Sequence, residues 1–318
     1  LSHKNLDDLR SGFRDLKVSG EAEKEDPLDF VLWKPKKEGE PFWKSPWGEG
    51  RPGWHTECCV MAKKYLHSAT IDIHAGGEDL IFPHHENEIA QSEASNGAEF
   101  AHYWLHNGFL NIDNRKMSKS LGNFRTVREI GEQYDLQVVR FFMLSAHYRS
   151  PLNFSAAIMD AAKNSLERIR TAVSTLNDRI AAASAADLTA VEQEKLEEMK
   201  KFRAAFEAAM DDDLNTADAQ AAVFDLVRFA NIEVTAESSR AFAEQVKAEI
   251  VALCDILGLI VDIEKKEELP EELQKLIDER QAAKKAKDFA RADAIRDELL
   301  KAGIALKDTR EGVKWTRI

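Results

Sequence analysis

Two lysines lie three residues apart in Lys116-Met117-Ser118-Lys119-Ser120, with Leu121-Gly122-Asn123 directly after. Lysine is a compact point charge on a flexible stem, and small hydroxyl residues let backbone approach anionic oxygens while adding donors, so such a loop suits a triphosphate. A solvated turn after a hydrophobic strand has the same composition, and Tyr103 to Leu110 reads as such a strand. A second constellation begins at Cys58 in Gly53-Trp54-His55-Thr56-Glu57-Cys58 and continues 26 residues later in Pro83-His84-His85-Glu86-Asn87-Glu88. Proline at a first helical position predicts a helix opening near His84, and i, i+4 spacing then puts His84 and Glu88 on one face. A thiolate, an imidazole and a carboxylate converging on one point would make a zinc site one ligand short. The same residues also read as a surface hydrogen-bonding pair beside a small buried cysteine. Cys59 is the competing ligand, disfavoured because adjacent residues rarely point at one centre.

The elements that must position these groups change in texture along the chain. Residues 1 to about 125 mix aromatics, glycines and prolines with short strand-like runs such as Thr70-Ile71-Asp72-Ile73-His74, an α/β texture with function on loops. From Val138-Val139-Arg140-Phe141-Phe142 onward the sequence becomes helical, and alanine-rich periodicity predicts helices over 156–184, 189–211, 215–231 and 236–258. An acidic linker marked by Pro270 precedes a final helix and a strand-like end from Gly303 to Arg317. With 31% charged residues and no apolar stretch near 18 residues, neither a membrane span nor a signal peptide is expected. Three cysteines, two of them adjacent, cannot make a disulfide framework and suit a reducing, cytoplasmic setting, with Cys254 in an apolar run read as core. A net charge of −12 argues against indiscriminate nucleic-acid binding, yet residues 280–318 hold 11 Lys/Arg against 6 Asp/Glu, a plausible RNA contact.

Taken together, Gly53-Trp54-His55-Thr56-Glu57-Cys58, Asp72 to Leu80, Phe82 to Glu88 and the lysine loop resemble the cysteinyl-tRNA synthetases of class I, over essentially the whole chain from Asp29 to Arg317. One departure stands out: the family's amino-terminal nucleotide-binding half, with its HIGH signature and first zinc-ligand cysteine, has no counterpart in these residues. The resemblance therefore implies the carboxy-terminal portion of such an enzyme. The expected layout is an incomplete Rossmann-type α/β catalytic portion over 1–125, a stem-contact region and all-α helical bundle over 126–265, and a small mixed α/β anticodon-binding module over 266–318.

The resemblance also assigns roles. Cys58, His84 and Glu88 would hold Zn2+, whose open position would accept the thiolate of L-cysteine and not the alkoxide of serine, making editing unnecessary. Trp54, His74 and Asp79 would line the substrate pocket, with His85 as a supporting neighbour of the metal. Lys119, with Lys116, Ser118 and Ser120, would contact ATP, bound with Mg2+, as the cysteine carboxylate attacks the α-phosphate and pyrophosphate leaves. A ribose hydroxyl of cysteine tRNA would then take the acyl group. Lys284, Phe289, Asp293 and Asp308 match the base-reading positions of the anticodon module. The family usually has arginine at the Lys284 position and tryptophan at the Phe289 position, and Phe289 reads equally well as a helix core residue. The expectation is a monomer that does not catalyse on its own. Two other readings remain: a ligase paralogue that passes cysteine to an amino-sugar and lacks an anticodon module, and a stand-alone tRNA-binding fragment.

Overall fold

The computed structural model describes residues 1–5, 24–26, 28–117, 123, 125–263, 270–286, 288–309 and 312–317. They fall into two compact units, Leu1–Asp262 and Ile263–Ile318. The first unit opens with three short strands, β1 (Trp33–Pro35), β2 (Trp43–Ser45) and β3 (Gly48–Pro52), in an antiparallel sheet of order β1-β3-β2. Helix α1 (Trp54–Leu66) follows directly. Gly53 is required at this junction, because a Cβ there would collide with the Val31 carbonyl.

Strands β4 (Ile71–Gly77) and β5 (Ala101–Asn107) pair in parallel, placing His74 beside Trp104 and Gly76 beside His106. The crossover between them is a 3-10 turn over Glu78–Leu80, a π turn over Ile81–His85 and helix α2 (Glu86–Asn96), which ends at Gly97 with φ 66°. The helix thus starts two residues later than the sequence predicts. Phe82 is extended inside the π turn, and regular α-helix begins only at Glu86.

A second small sheet joins β6 (Leu110–Ile112) to β7 (Arg115–Lys116) antiparallel and to β8 (Leu152–Phe154) in parallel. This hairpin carries Lys116 on β7, while Ser118, Lys119 and Ser120 lie outside the described residues. Between β7 and β8 run α3 (Val127–Gly131), started by a Thr126/Glu129 capping box, and α4 (Leu136–Met143), capped by Asp135.

The bundle consists of α5 (Ala156–Ala182), α6 (Ala190–Asp211), α7 (Thr216–Glu233) and α8 (Arg240–Ile256). Helix α5 buries Met159, Leu166, Ile169, Val173 and Leu176, residues spaced three, four or seven apart along one face. They join one large apolar cluster with α4, α7 and α8 that contains Cys254. The predicted bounds agree to within a turn except at the start of α8. Helix α7 continues through Asn231 to Glu233, and α8 starts only at Arg240, because the Ser239 side chain accepts from Phe242 N and sets its first turn.

In the second unit α9 (Glu271–Lys285) and α10 (Phe289–Lys301) pack with the hairpin of β9 (Ile304–Thr309) and β10 (Gly312–Arg317) around Ile277, Ile295, Leu299 and Ile304. Trp315 packs against this cluster. The molecule is thus an α/β portion followed by an all-α bundle and a small mixed α/β end. Among the described residues no helix is long and apolar enough to cross a membrane.

Candidate metal centre

Helix α1 and the start of α2 bring the predicted thiol, imidazole and carboxylate together. Cys58 Sγ lies 3.5 Å from His84 Nε2, and His84 Nε2 lies 3.1 Å from Glu88 Oε1. All three donor atoms fall within 4.8 Å of one another. His84 sits in the π turn and not on the helix, yet the i, i+4 contact is made because the backbone at His85 and Glu86 is already helical. Cys59 turns away: its thiol donates to the Glu88 carbonyl at 3.5 Å.

Electrostatically the cluster is one cation short. Glu88 is wholly buried, and its Oε1 has no hydrogen-bond partner. Burial raises its carboxyl, but the hydrogen bond and charge of His74, together with the charge of His84, outweigh this and hold it below its ordinary value. Burial first, then the Glu88 charge, push the Cys58 thiol up to about 12. An ionised buried carboxylate beside a thiol that stays protonated in its absence is an arrangement a divalent cation reverses, releasing the thiol proton and occupying the free carboxylate oxygen. The donor set, S with N and O, is one zinc accepts. These residues fit the metal.

Further side chains orient the donors. His55 Nδ1 and His84 Nδ1 are 2.7 Å apart, so a proton on His84 Nδ1, donated to His55, leaves His84 Nε2 as the donor atom facing Cys58 and Glu88. His74 Nε2 contacts the other Glu88 oxygen at 2.8 Å. The Trp54 ring stacks on His84 with centroids 4.1 Å apart. His74, His85 and Glu88 form a second group of close donor atoms sharing the same carboxylate. Burial, then the neighbouring His74 charge, push His85 down to about 4, and its Nδ1 lies 2.7 Å from His106 Nε2. Gly76 makes this possible, since a Cβ there would come within 3.0 Å of the His85 ring. Asp79 is exposed on the 3-10 turn, its carboxylate folded over Gly77.

The structure therefore brings Trp54, Cys58, His74, His84 and Glu88 into one cluster, and no contact joins Asp79 to it among the described residues. His55 and His106 belong to it and were assigned no role from sequence. Trp104 and His106 share one face of β5, beside His74 and Gly76 of β4, a register that no local sequence pattern supplies. In the second unit Phe289 is 62% exposed at the first position of α10, Lys284 lies in the last turn of α9, and Asp293 is exposed 3.8 Å from Arg296. Asp308 lies on β9, with its side chain outside the described residues.

Comparison with known families fits these parts. Residues 1–164 match the family described as tRNA synthetases class I (C) catalytic domain, residues 205–261 the DALR domain, and residues 266–315 the cysteinyl-tRNA ligase anticodon binding domain. The cysteine–tRNA ligase of Lachnospira eligens is 61% identical over all of this chain and 68% of its own length. That of Lachnoclostridium phytofermentans is 57% identical, with 67% of its length covered. In fold, the chain resembles an Agrobacterium radiobacter K84 LeuRS solved with tRNA and LeuAMS, with a TM-score of 0.54 and 16% identity over 70% of this chain and 33% of that one. By this sequence identity and coverage the chain belongs to the cysteine–tRNA ligases, class I aminoacyl-tRNA synthetases that use ATP to join cysteine to tRNA.

Proposed function

We propose that Cys58, His84 and Glu88 form the part of a zinc site that selects cysteine by its thiol. The observation that carries this reading is the buried, unpartnered Glu88 Oε1 facing His84 Nε2 beside the Cys58 thiol. Zinc held there would supply a position that prefers a thiolate, separating cysteine from serine by the ease with which each ionises.

The chain's own residues do the rest. His55 and His74 fix the His84 ring and the Glu88 carboxylate, and Trp54 covers the imidazole and excludes water from that side. Asp79, on the turn after β4, would offer a carboxylate to the substrate ammonium or the adenosine. Lys119, with Lys116, Ser118 and Ser120, neutralises ATP phosphates carried with Mg2+ while the cysteine carboxylate oxygen bonds to the α-phosphorus and pyrophosphate departs. A tRNA ribose hydroxyl then attacks the carbonyl of the adenylate, losing its proton as AMP leaves. Both steps need positioning and charge stabilisation and no side-chain nucleophile. Lys284, Phe289, Asp293 and Asp308 would read the anticodon. The division into catalytic, bundle and anticodon parts near residues 125 and 265, a monomeric state, and the lack of adenylate formation by this chain alone belong to the same reading.

Cobalt substitution tests it. The chain loaded with Co2+ should show a thiolate charge-transfer band that is lost in Cys58→Ser and that grows on adding cysteine but not serine. A spectrum indifferent to cysteine, or a band surviving Cys58→Ser, would refute it.

A further inference from the structure

Three consecutive side chains of the loop between α4 and β8 converge on one carboxylate of the bundle. The Tyr148 hydroxyl donates to Asp213 Oδ1 at 2.8 Å, Arg149 Nη2 lies 2.6 Å from Asp213 Oδ2, and His147 Nε2 lies 3.5 Å from that same oxygen. Arg149 Nε also donates to the Tyr148 hydroxyl at 3.2 Å, and the His147 and Tyr148 rings stack with centroids 4.8 Å apart. Local preference does not explain Asp213. It follows the C-terminal end of α6, where the helix dipole disfavours carboxylates. Asp213 and Leu214 each have φ 56°, the left-handed region that strains residues other than glycine. Leu214 is 46% exposed, so core packing does not hold the turn. Its restraints are the partners of Asp213 and the Thr216 hydroxyl, which donates to Leu144 O at 2.9 Å.

The loop held in this way supports the hairpin of β6 and β7. Gly108 N donates to Tyr148 O at 2.8 Å, and Leu152 N donates to Phe109 O at 2.9 Å. Backbone lies on backbone here: a Cβ at Gly108 would stand 2.6 Å from the Ser150 carbonyl carbon. Gly108 and Phe109 lead directly into β6, which pairs with β8 on one side and on the other with β7, the strand that carries Lys116. Leu110, Leu152 and Phe154 pack on the apolar cluster of the bundle. That contact anchors the strands without fixing a direction, because apolar burial is non-directional. The charge-assisted bonds to Asp213 are directional, and they fix where the loop sits against the elbow between α6 and α7.

We propose that Asp213 is a positioning residue for adenylate formation. By gathering His147, Tyr148 and Arg149 it sets, from the bundle, the loop on which the entry of β6 rests, and through β6 the direction in which the hairpin presents its lysines. The proposal rests on the ATP role proposed above for those lysines and adds the group that aims them.

The test is amide hydrogen exchange, read by mass spectrometry, on the 318-residue chain and on Asp213→Gly, Asp213→Asn and Arg149→Ala. Glycine removes the carboxylate and relieves the left-handed strain, so the thermal midpoint should change little. Exchange over residues 106–117 and 145–154 should nevertheless become about tenfold faster, with α5 and α8 unchanged. Arg149→Ala should accelerate the same two segments, and Asp213→Asn, which still accepts from Tyr148, should fall between parent and glycine variant. A carboxylate that serves only the turn predicts the reverse: with glycine the turn is relieved and both segments exchange like the parent, which would overturn the proposal. Acceleration spread evenly through α5 to α8, or an Arg149→Ala protein indistinguishable from the parent, would overturn it too. The readout contains no nucleotide, so it is independent of the ATP reading. Hairpin exchange in the parent that is indifferent to ATP with Mg2+, while the Asp213→Gly effect persists, would count against the ATP role alone.

Discussion

Glu88 Oε1 lies 3.1 Å from His84 Nε2, and the other ring nitrogen of His84 lies 2.7 Å from His55 Nδ1. With the His84 proton on Nδ1 and donated to His55, two electron-pair donors face each other in a buried site beside the Cys58 thiol. That arrangement is costly unless a cation binds both, and it gives the metal reading a quantitative order of effects. Glu88→Gln should lower zinc affinity by more than His55→Ala, because the first removes a donor and the second only its orienting neighbour. The loss expected for His55→Ala is roughly tenfold, with Glu88→Gln well beyond that. Zinc competition with a chromophoric chelator measures both. Equal affinities for parent and Glu88→Gln would remove the carboxylate from the site.

The bundle contains a second carboxylate with two duties. Glu192 Oε2 accepts from Thr189 N at 2.8 Å in the capping box of α6, and its Oε1 accepts from Ser239 N at 2.8 Å, one residue before α8. Burial raises this carboxyl, but the hydrogen bonds from Thr189 and Ser239 outweigh it and hold it below the ordinary glutamate value. A folded value below the unfolded one means the stabilisation is full above about pH 4.5 and is lost as pH falls through the depressed folded value. Glu192→Gln should cost about 1 to 3 kcal/mol at neutral pH and should remove that part of the acid dependence. Urea titrations of parent and variant at pH 7 and pH 4 check this. A constant difference between the two proteins across that range would contradict it.

Much of this was legible in the sequence, for physical reasons that differ by region. The bundle helices read well because their apolar residues recur with helical period and Thr189 and Asn215 mark starts, whereas the Ser239 cap of α8 was missed and that helix placed too early. The convergence of Cys58, His84 and Glu88 was legible because Cys58 and Glu88 sit on helices, where spacing fixes direction. The rest depended on contacts between distant segments. No local pattern reveals that His106 of β5 meets His85 in the π turn, since that requires the parallel register of β4 and β5 and the missing side chain of Gly76. The start of α2 was misplaced because proline marks a helical opening in general, while here Phe82 remains extended and the turn relaxes to regular helix only at Glu86.

Gly258 supplies a test of the bundle's last connection. It closes α8 with φ 65°, and Leu259 N reaches back to Cys254 O at 2.9 Å in the manner of a Schellman cap. A Cβ there would lie 2.6 Å from Arg140 Nε, the same nitrogen that donates to Leu257 O. Gly258→Ala should therefore both strain the cap and displace Arg140, destabilising the protein by about 1 to 3 kcal/mol. Combining it with Arg140→Ala should give less than the sum of the two single losses, because the clash disappears with the guanidinium. Strict additivity in denaturant titrations would show that the displaced arginine is not the cause.

Phe289 offers a test of the proposed RNA contact of the second unit. Sequence left it between a core residue and a stacking ring, and it stands 62% exposed at the start of α10 while Ile295 and Leu299 of the same helix fill the core. Its removal should therefore cost little stability, since little apolar area leaves the interior. If the ring stacks on an anticodon base, Phe289→Ala should weaken binding of the anticodon arm of cysteine tRNA by about 1 to 3 kcal/mol. The loss should be smaller on an anticodon-swapped arm, where the stacked base is wrongly presented, and overall affinity for both RNAs should fall steeply with salt. Filter binding of parent and variant to the two arms at two salt concentrations separates the outcomes. A stable Phe289→Ala protein that binds both arms like the parent would return this residue to an incidental surface position and leave anticodon reading to other groups.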